Sequence, residues 1–341
     1  MEKNLTKTDV LSTHTPALFQ AAVIRAAELL RLGEVVALPT ETVYGLAANA
    51  LDARAVQRIY TIKGRPALNP IIVHVADLAM ARRFAAVWPK TADDLAAAFW
   101  PGPLTLVVAR SKEIPDVIAA GGPTVGLRWP SHPFIRAVIR ECGFPLAAPS
   151  ANPSNQISPT NSGHVLQTLG GLIPLIVDGG QSQVGIESTV VDVSVDPPRL
   201  LRPGMIHGES LRAVVGDLVV DSTVESGVLR SPGQLTRHYS PRAKLIVLDW
   251  GDESQLKSRL AARGIPQDRC HVLSHTRIPL GGGFHGVSVI PHDAEAFARA
   301  LYGELHECDR AGAGWIVVEQ WPESPEWQAI GDRLNRASVP Q

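Results

Sequence analysis

Four positively charged side chains stand where binding chemistry is expected rather than packing. Lys63 and Arg65 lie two apart in "KGRPALNP", in a loop stiffened by Pro66 and Pro70. Arg128 in "GLRWP" and Arg202 in "LLRPG" each follow apolar strand residues and precede a proline. Two cations held close together repel unless an anion lies between them. An arginine at the end of an apolar strand needs a partner if it is buried. Arginine offers a planar fork to two oxygens and lysine a point charge, so the shared partner is expected to carry phosphate or carboxylate. One such contact to phosphate is worth about 1.5–3 kcal/mol. Each feature also has a plainer reading. Lys63 and Arg65 could ease a helix C-terminal dipole, and each lone arginine could make a structural ion pair.

Hydroxyls and amides gather at similar places. Thr40, Glu41 and Thr42 follow the apolar run "GEVVAL" and precede Gly45 in "PTETVYGL". His74 ends "PIIVH", where it is either a satisfied core residue or a donor to a ligand carboxylate. "APSANPSNQISPT" at 148–160 is dense in short polar side chains, which can build turns or bind a ligand. Ser188 and Thr189 open "STVVDV" after Glu187. Open α/β sheets bind ligands at strand ends, so these segments suggest one small-molecule site assembled from many loops.

The elements that must position them follow from periodicity. Helices are predicted over 16–32, 52–62, 77–86, 91–99, 132–142 and 160–169, with Asp52 a good N-cap. Strands are predicted over 34–38, 70–75, 104–109, 124–129, 145–148, 173–177, 188–195 and 199–202. This alternation predicts an α/β domain with a mixed sheet. After Gly204 the composition changes. A short helix and a brief strand lead into 221–241, which is polar, contains Gly and Pro, and ends in "HYSP". That stretch is either an interdomain linker or a lid. From 242 a second, smaller α/β pattern begins, with strands in "AKLIVLDW", "CHVLS", "GVSVI" and "GWIVVEQ" and helices at 252–262, 292–309 and 324–336.

The 341 residues suit two domains, and a net charge of −1 argues against a surface that grips nucleic acid as a whole. The three cysteines, Cys142, Cys270 and Cys308, form no CxxC pair, so neither a zinc site nor a disulfide framework is expected. No apolar run approaches the ~20 residues of a membrane helix, and a reducing cytoplasm is the expected home. There is no GxxxxGK[ST] loop, HExxH or GxSxG. "GGGFHG" fits GxGxxG but leads into "VSVIP" rather than a helix.

The ordered set "PTETVYGL", "KGRP…NPIIVH", "WPGPLT", "VGLRWPSHP", "APSAN", "ESTV", "LLRPG" and "HYSP" resembles the threonylcarbamoyl-AMP synthase family, a YrdC-type domain in its long form with a C-terminal domain. The resemblance implies a twisted mixed-sheet domain with a deep basic cavity at 12–205, a linker or lid at 206–241, and a smaller Rossmann-like α/β domain at 242–341. It implies that L-threonine, bicarbonate and ATP give threonylcarbamoyl-AMP and pyrophosphate. A partner tRNA threonylcarbamoyltransferase then uses the product to modify the adenosine next to the anticodon, with tRNA contact to this chain weak or indirect. Carried onto this chain, threonine falls to Thr42, His74, Arg128, Ser188 and the Ala148 backbone. ATP falls to Lys63, Arg65, Asn69, Thr124, Ser150, Asn152, Ser158 and Arg202, with Lys63 and Arg65 also catalytic. His238 and Tyr239 are expected to fold over the cavity mouth. Mg2+ is expected to come with ATP, with no protein metal site, no organic prosthetic group and no membrane. The path from carbamate to adenylate needs no protein nucleophile, which suits the absence of a Ser/His or Cys/His constellation. Two alternatives are an RNA-binding module using the basic concavity and a carbamoyl transferase of the hydrogenase-maturation kind. The chain lacks the zinc-finger cysteines and acylphosphatase module of the latter.

Overall fold

The computed structural model describes residues 7–220 and 239–339. The chain divides into two compact units, Met1–Ser154 with Ser158–Leu235, and Asn155–Ile157 with Thr236–Gln341. The first unit runs β1 (Asp9–Ser12), α1 (Pro16–Arg31), β2 (Val36–Leu38), β3 (Gly45–Asn49), α2 (Ala53–Lys63), β4 (Val73–His74), α3 (Leu78–Phe84), β5 (Ala85–Val87), α4 (Lys90–Phe99), β6 (Leu104–Arg110), β7 (Thr124–Arg128), α5 (Pro133–Cys142), β8 (Leu146–Ala147), α6 (Ser162–Leu169), β9 (Leu175–Asp178), β10 (Thr189–Asp192), β11 (Arg199–Arg202), α7 (Gly208–Val215) and β12 (Val219–Val220).

Capping explains where the helices start. Thr15 accepts from the Leu18 amide ahead of Pro16, and Asp52 accepts from the Arg54 and Ala55 amides. The apolar stripe Ala22, Val23, Ala26, Ala27, Leu29 and Leu30 of α1 is buried, and Phe19 meets Phe134 of α5 edge-on at 5.2 Å. Gly64 ends α2 at φ 58°, a left-handed position that favours glycine. Lys63 is therefore the last helical residue and Arg65 follows the cap directly, its amide bonded back to the Tyr60 carbonyl at 3.0 Å.

The strands form one mixed sheet in the order β1-β9-β2-β3-β8-β4-β7-β6-β10-β11-β12, with β5 added to β6. The expected mixed α/β sheet is present. Three strands escape the sequence reading. β3 is built of small residues, Gly-Leu-Ala-Ala-Asn, without the β-branched enrichment that marks a strand, yet it pairs antiparallel with β2 and β8. β1 is polar and pairs parallel with β9. β5 occupies the end of the predicted 77–86 helix, because the chain turns extended at Ala85 and joins the Arg110 end of β6.

The second unit runs β13 (Lys244–Leu248), α8 (Glu253–Ala262), β14 (Cys270–Ser274), β15 (Gly286–Val289), α9 (Ala294–Arg310), β16 (Trp315–Glu319) and α10 (Gln328–Ala337). Its strands are all parallel in the order β13-β16-β14-β15, with a core of Leu248, Trp250, Leu256, Val272 and Val317, as a small Rossmann-like unit requires. Asn155–Ile157 groups with it through the Ser240 amide, which donates to the Asn155 carbonyl at 2.8 Å.

Candidate active site

Strand register places the central polar residues in a row. His74 at the end of β4 pairs with Arg128 at the end of β7. Leu106 pairs with Leu127, which brings Thr105 of β6 level with Arg128. Thr105 pairs with Val190 of β10, and Val190 with Arg202 of β11. Paired residues share a face, so His74, Arg128, Thr105 and Arg202 lie on one face along one rim of the sheet. Four inter-strand steps of ~4.8 Å make this row roughly 19 Å long.

At one end Arg128 is 4% exposed and held from three directions. Its Nε donates to the Gly102 carbonyl at 3.3 Å, its Nη1 to Thr42 Oγ1 at 3.0 Å, and its Nη2 lies 2.7 Å from Glu41 Oε1. The last is an ion pair that can occupy one of the two N–H groups of Nη2, so Nη2 keeps bonding capacity. Glu41 Oε1 also accepts the Ser131 amide at 3.0 Å. Burial raises the Glu41 pKa, but the Arg128 charge and these bonds outweigh it and hold the carboxyl below its ordinary range. Burial, with the Arg128 charge second, pushes His74 down to about 3, so its ring is neutral. Thr40 Oγ1 lies 2.9 Å from Thr42 Oγ1 and closes the "PTET" turn.

At the other end the Arg202 Nε donates to the Ser188 carbonyl at 3.0 Å and its Nη2 to Ser188 Oγ at 3.1 Å. Ser188 Oγ also meets Thr105 Oγ1 at 2.8 Å. A Cβ on Gly204 would stand 2.4 Å from the Thr189 amide nitrogen, so the "LLRPG" turn requires a glycine to approach β10. Ser158 Oγ donates to Glu187 Oε1 at 2.6 Å.

The Lys63 and Arg65 loop is spoken for by carbonyls. Lys63 is 3% exposed, and its Nζ donates to the Ser150 carbonyl at 2.6 Å and to the Asn152 carbonyl. Burial, reinforced by the Arg65 charge, pulls its ammonium well below the ordinary range. Arg65 donates to Asn69 Oδ1 at 2.8 Å and to the Pro70 carbonyl at 2.6 Å. Beside it lies a cavity of about 360 Å³ walled by Tyr60, Leu68, Val117, Ala120 and Gly121. Ala148 continues β8, its amide bonded to the Ile72 carbonyl at 3.2 Å, and Ser150 bridges Gly45.

One further sequence candidate stands apart from the row. Thr124 begins β7, four residues from Arg128, or roughly 13 Å at ~3.3 Å per residue. Tyr239 is 1% exposed within the second unit, 5.9 Å from the Tyr302 ring and 5.4 Å from the Arg333 guanidinium. His238 lies outside the described residues. Glu41, Thr105 and Glu187 were not among the residues assigned to the site from sequence. The signal for Glu41 was its place inside "PTET", and for Thr105 a lone hydroxyl in the apolar run "LTLVV".

The family model described as "Telomere recombination" (Sua5_yciO_yrdC) matches residues 28–204, and that described as "Threonylcarbamoyl-AMP synthase, C-terminal domain" matches 206–339. The threonylcarbamoyl-AMP synthase of Pyrococcus abyssi is 39% identical over 322 residues, covering 92% of this chain and 93% of that one. That of Bacillus subtilis is 39% identical, covering 97% and 95%. The chain belongs to the threonylcarbamoyl-AMP synthase family. Among solved structures, this family member matches P. abyssi Sua5 complexed with L-threonine at a TM-score of 0.88 and 36% identity, over 98% of each chain. A variant of the same P. abyssi protein with a His and a Tyr changed to alanine matches at a TM-score of 0.87 and 35% identity, over 97% of this chain and 96% of that one.

Proposed function

We propose that this enzyme makes threonylcarbamoyl-AMP from L-threonine, bicarbonate and ATP with release of pyrophosphate, for threonylcarbamoyladenosine formation in tRNA. The observation that carries the reading is the buried row itself: a neutral histidine, two arginines and the Thr105 hydroxyl on one sheet face, with Ser188 Oγ bonded to Thr105 and Arg202, able to hold an amino acid beside a phosphate chain. Arg128 takes the threonine carboxylate, with Thr42 and Ser188 beside it and the Ala148 backbone closing the site. His74, being neutral, meets a ligand hydroxyl without adding charge. Arg202, Arg65 and the third N–H of Lys63 face the phosphates, while the Lys63 bonds shape the turn that presents Ser150 and Asn152. Asn69, Thr124 and Ser158 complete the nucleotide contacts, and the apolar cavity beside Arg65 suits the base.

The amine nitrogen bonds to the carbon of bicarbonate-derived carbon dioxide and loses a proton, giving a carbamate. A carbamate oxygen then attacks the α-phosphorus, the α–β bridging P–O bond breaks, and pyrophosphate leaves with its electron pair. Charge grows on phosphate oxygens, where fixed cations stabilise it without reorganising. No protein nucleophile is called for. Burial holds the Cys142 and Cys308 thiols protonated up to about 12 and Cys270 up to about 11. Mg2+ enters with ATP as part of the substrate. Among the described residues no group of three or more His, Cys, Asp or Glu could hold a metal ion.

The adenylate hydrolyses readily, so hand-over to a tRNA threonylcarbamoyltransferase follows synthesis, and the cytoplasm is where its substrates meet. No helix among the described residues is long and apolar enough to cross a membrane. The RNA-binding alternative has no support, since Lys63, Arg65, Arg128 and Arg202 are 3, 9, 4 and 4% exposed and cannot grip a polyanion from outside. The test is pyrophosphate release by the purified protein with ATP. It is expected only when L-threonine and bicarbonate are both present, and release that ignores threonine sinks the reading.

A further inference from the structure

At the Arg128 end of the site, three buried polar atoms keep unused bonding capacity: Glu41 Oε2 and His74 Nδ1 have no hydrogen-bond partner, and Arg128 Nη2 has only its ion pair with Glu41 Oε1. Their residues are 6, 3 and 4% exposed, so water does not satisfy them from bulk. A buried polar atom left unmatched is costly, and in a native site it commonly marks where a ligand belongs. The three ask for different things. Nη2 needs an acceptor, Oε2 needs a donor, and a neutral imidazole nitrogen takes either according to its tautomer. L-threonine carries a carboxylate, an ammonium and a β-hydroxyl, one group for each.

We infer that Glu41 receives the α-ammonium group of the amino-acid substrate through Oε2, a role that rests on the threonine reading above. Its other oxygen is already fixed by Arg128 and by the Ser131 amide, so the carboxylate is oriented before the ligand arrives. The backbone is fixed too, because the Glu41 carbonyl accepts the Val184 amide at 2.7 Å. Charges then alternate through the site: the substrate carboxylate on Arg128, Arg128 on Glu41, Glu41 on the ammonium. No net charge is buried when the zwitterion binds. Carbamoylation turns the ammonium into a neutral amide-like nitrogen, so this contact is made with the free amino acid and lost in the product.

The test compares L-threonine with the hydroxy acid in which a hydroxyl replaces the ammonium, by calorimetric binding to the full chain and by steady-state kinetics. The unmodified protein should prefer threonine by at least about tenfold. Glu41→Gln should erase that preference and raise the threonine KM about tenfold, leaving the ATP KM within about twofold. Glu41→Asp, which keeps the charge with shorter reach, should retain part of the preference, and it carries the test if the Gln variant fails to fold. A purely structural glutamate would weaken both ligands alike. Equal weakening, or a preference that survives in E41Q, overturns the assignment. An unmodified protein that binds neither ligand and releases no pyrophosphate overturns the functional reading instead.

Discussion

Two buried glutamates at the loops of two sheets meet opposite fates. Glu319, at the end of β16 in the second unit, is 1% exposed. It accepts the His275 amide at 2.8 Å, the Thr276 amide at 2.9 Å, the Arg277 amide and the Thr276 hydroxyl. Burial raises its pKa, and these bonds outweigh it and leave the carboxyl below its ordinary range. Glu41 is also held ionised, but one of its oxygens is empty-handed and its main partner is itself a cation with spare capacity. Burial and charge are alike in the two cases. Satisfaction is what differs. A carboxylate saturated by its own chain fixes a turn, and one left half-satisfied beside an arginine is poised for a ligand.

The strongest way to break this contrast is to remove the arginine. Arg128→Ala should strand Glu41 without its counter-charge and delete the carboxylate anchor. The catalytic efficiency for threonine should fall by roughly 10²–10³, about 3–4 kcal/mol. Steady-state pyrophosphate assays read this directly, and a loss under tenfold would remove Arg128 from the substrate contacts. The next effect lies in the other unit. Glu319→Ala orphans three amides and a hydroxyl, and should lower stability by about 2–3 kcal/mol while leaving the threonine KM unchanged. Urea unfolding of the second unit's fluorescence and the same kinetic assay give both numbers. A shifted threonine KM would mean that Glu319 is more than scaffold.

Sequence carried the contrast only halfway. The helices α1 and α2 were legible because caps and apolar spacing are local, and the cations stood out because Arg128 and Arg202 end apolar strands and Lys63 and Arg65 lie two apart around a helix end. The partners were not. Glu41 meets Arg128 only because β7 is carried into the sheet between β4 and β6, and no local pattern encodes that crossover. Thr105 reads as an ordinary strand residue until register sets it beside Ser188. Lys63 reads as a phosphate ligand or as a cation easing a helix C-terminus, and the sequence does not show that a helix end turned inward places its ammonium among the carbonyls of the 150–152 turn. Small residues hid β3, whose strand character comes from its neighbours rather than its propensity.

The gentlest probe is pH. His74 stays neutral in the folded protein down to about 3, while in the unfolded chain it takes up a proton near its ordinary value of 6.5. Below that value the unfolded state binds more protons. The stability tied to the neutral buried ring is therefore complete above 6.5 and drains as pH falls toward 3, by up to about 1.4 kcal/mol per pH unit. Glu41 and Glu319 act with the same sign in a lower window. Their stabilisation is whole above 4.5 and is lost as pH drops through their lowered folded values. Burial also lowers His132, His271 and His275, so the slope of the unmodified protein between pH 6.5 and 5 belongs to several rings. His74→Gln isolates one of them, because glutamine does not titrate. Its stability should decline less steeply than that of the unmodified protein over this range, by about 1.4 kcal/mol per pH unit, whereas Glu319→Gln should leave the slope untouched until the pH falls below 5. Parallel curves for His74→Gln and the unmodified protein would mean that the ring is protonated as readily inside the fold as outside, and that the row gains a positive charge below pH 6.5.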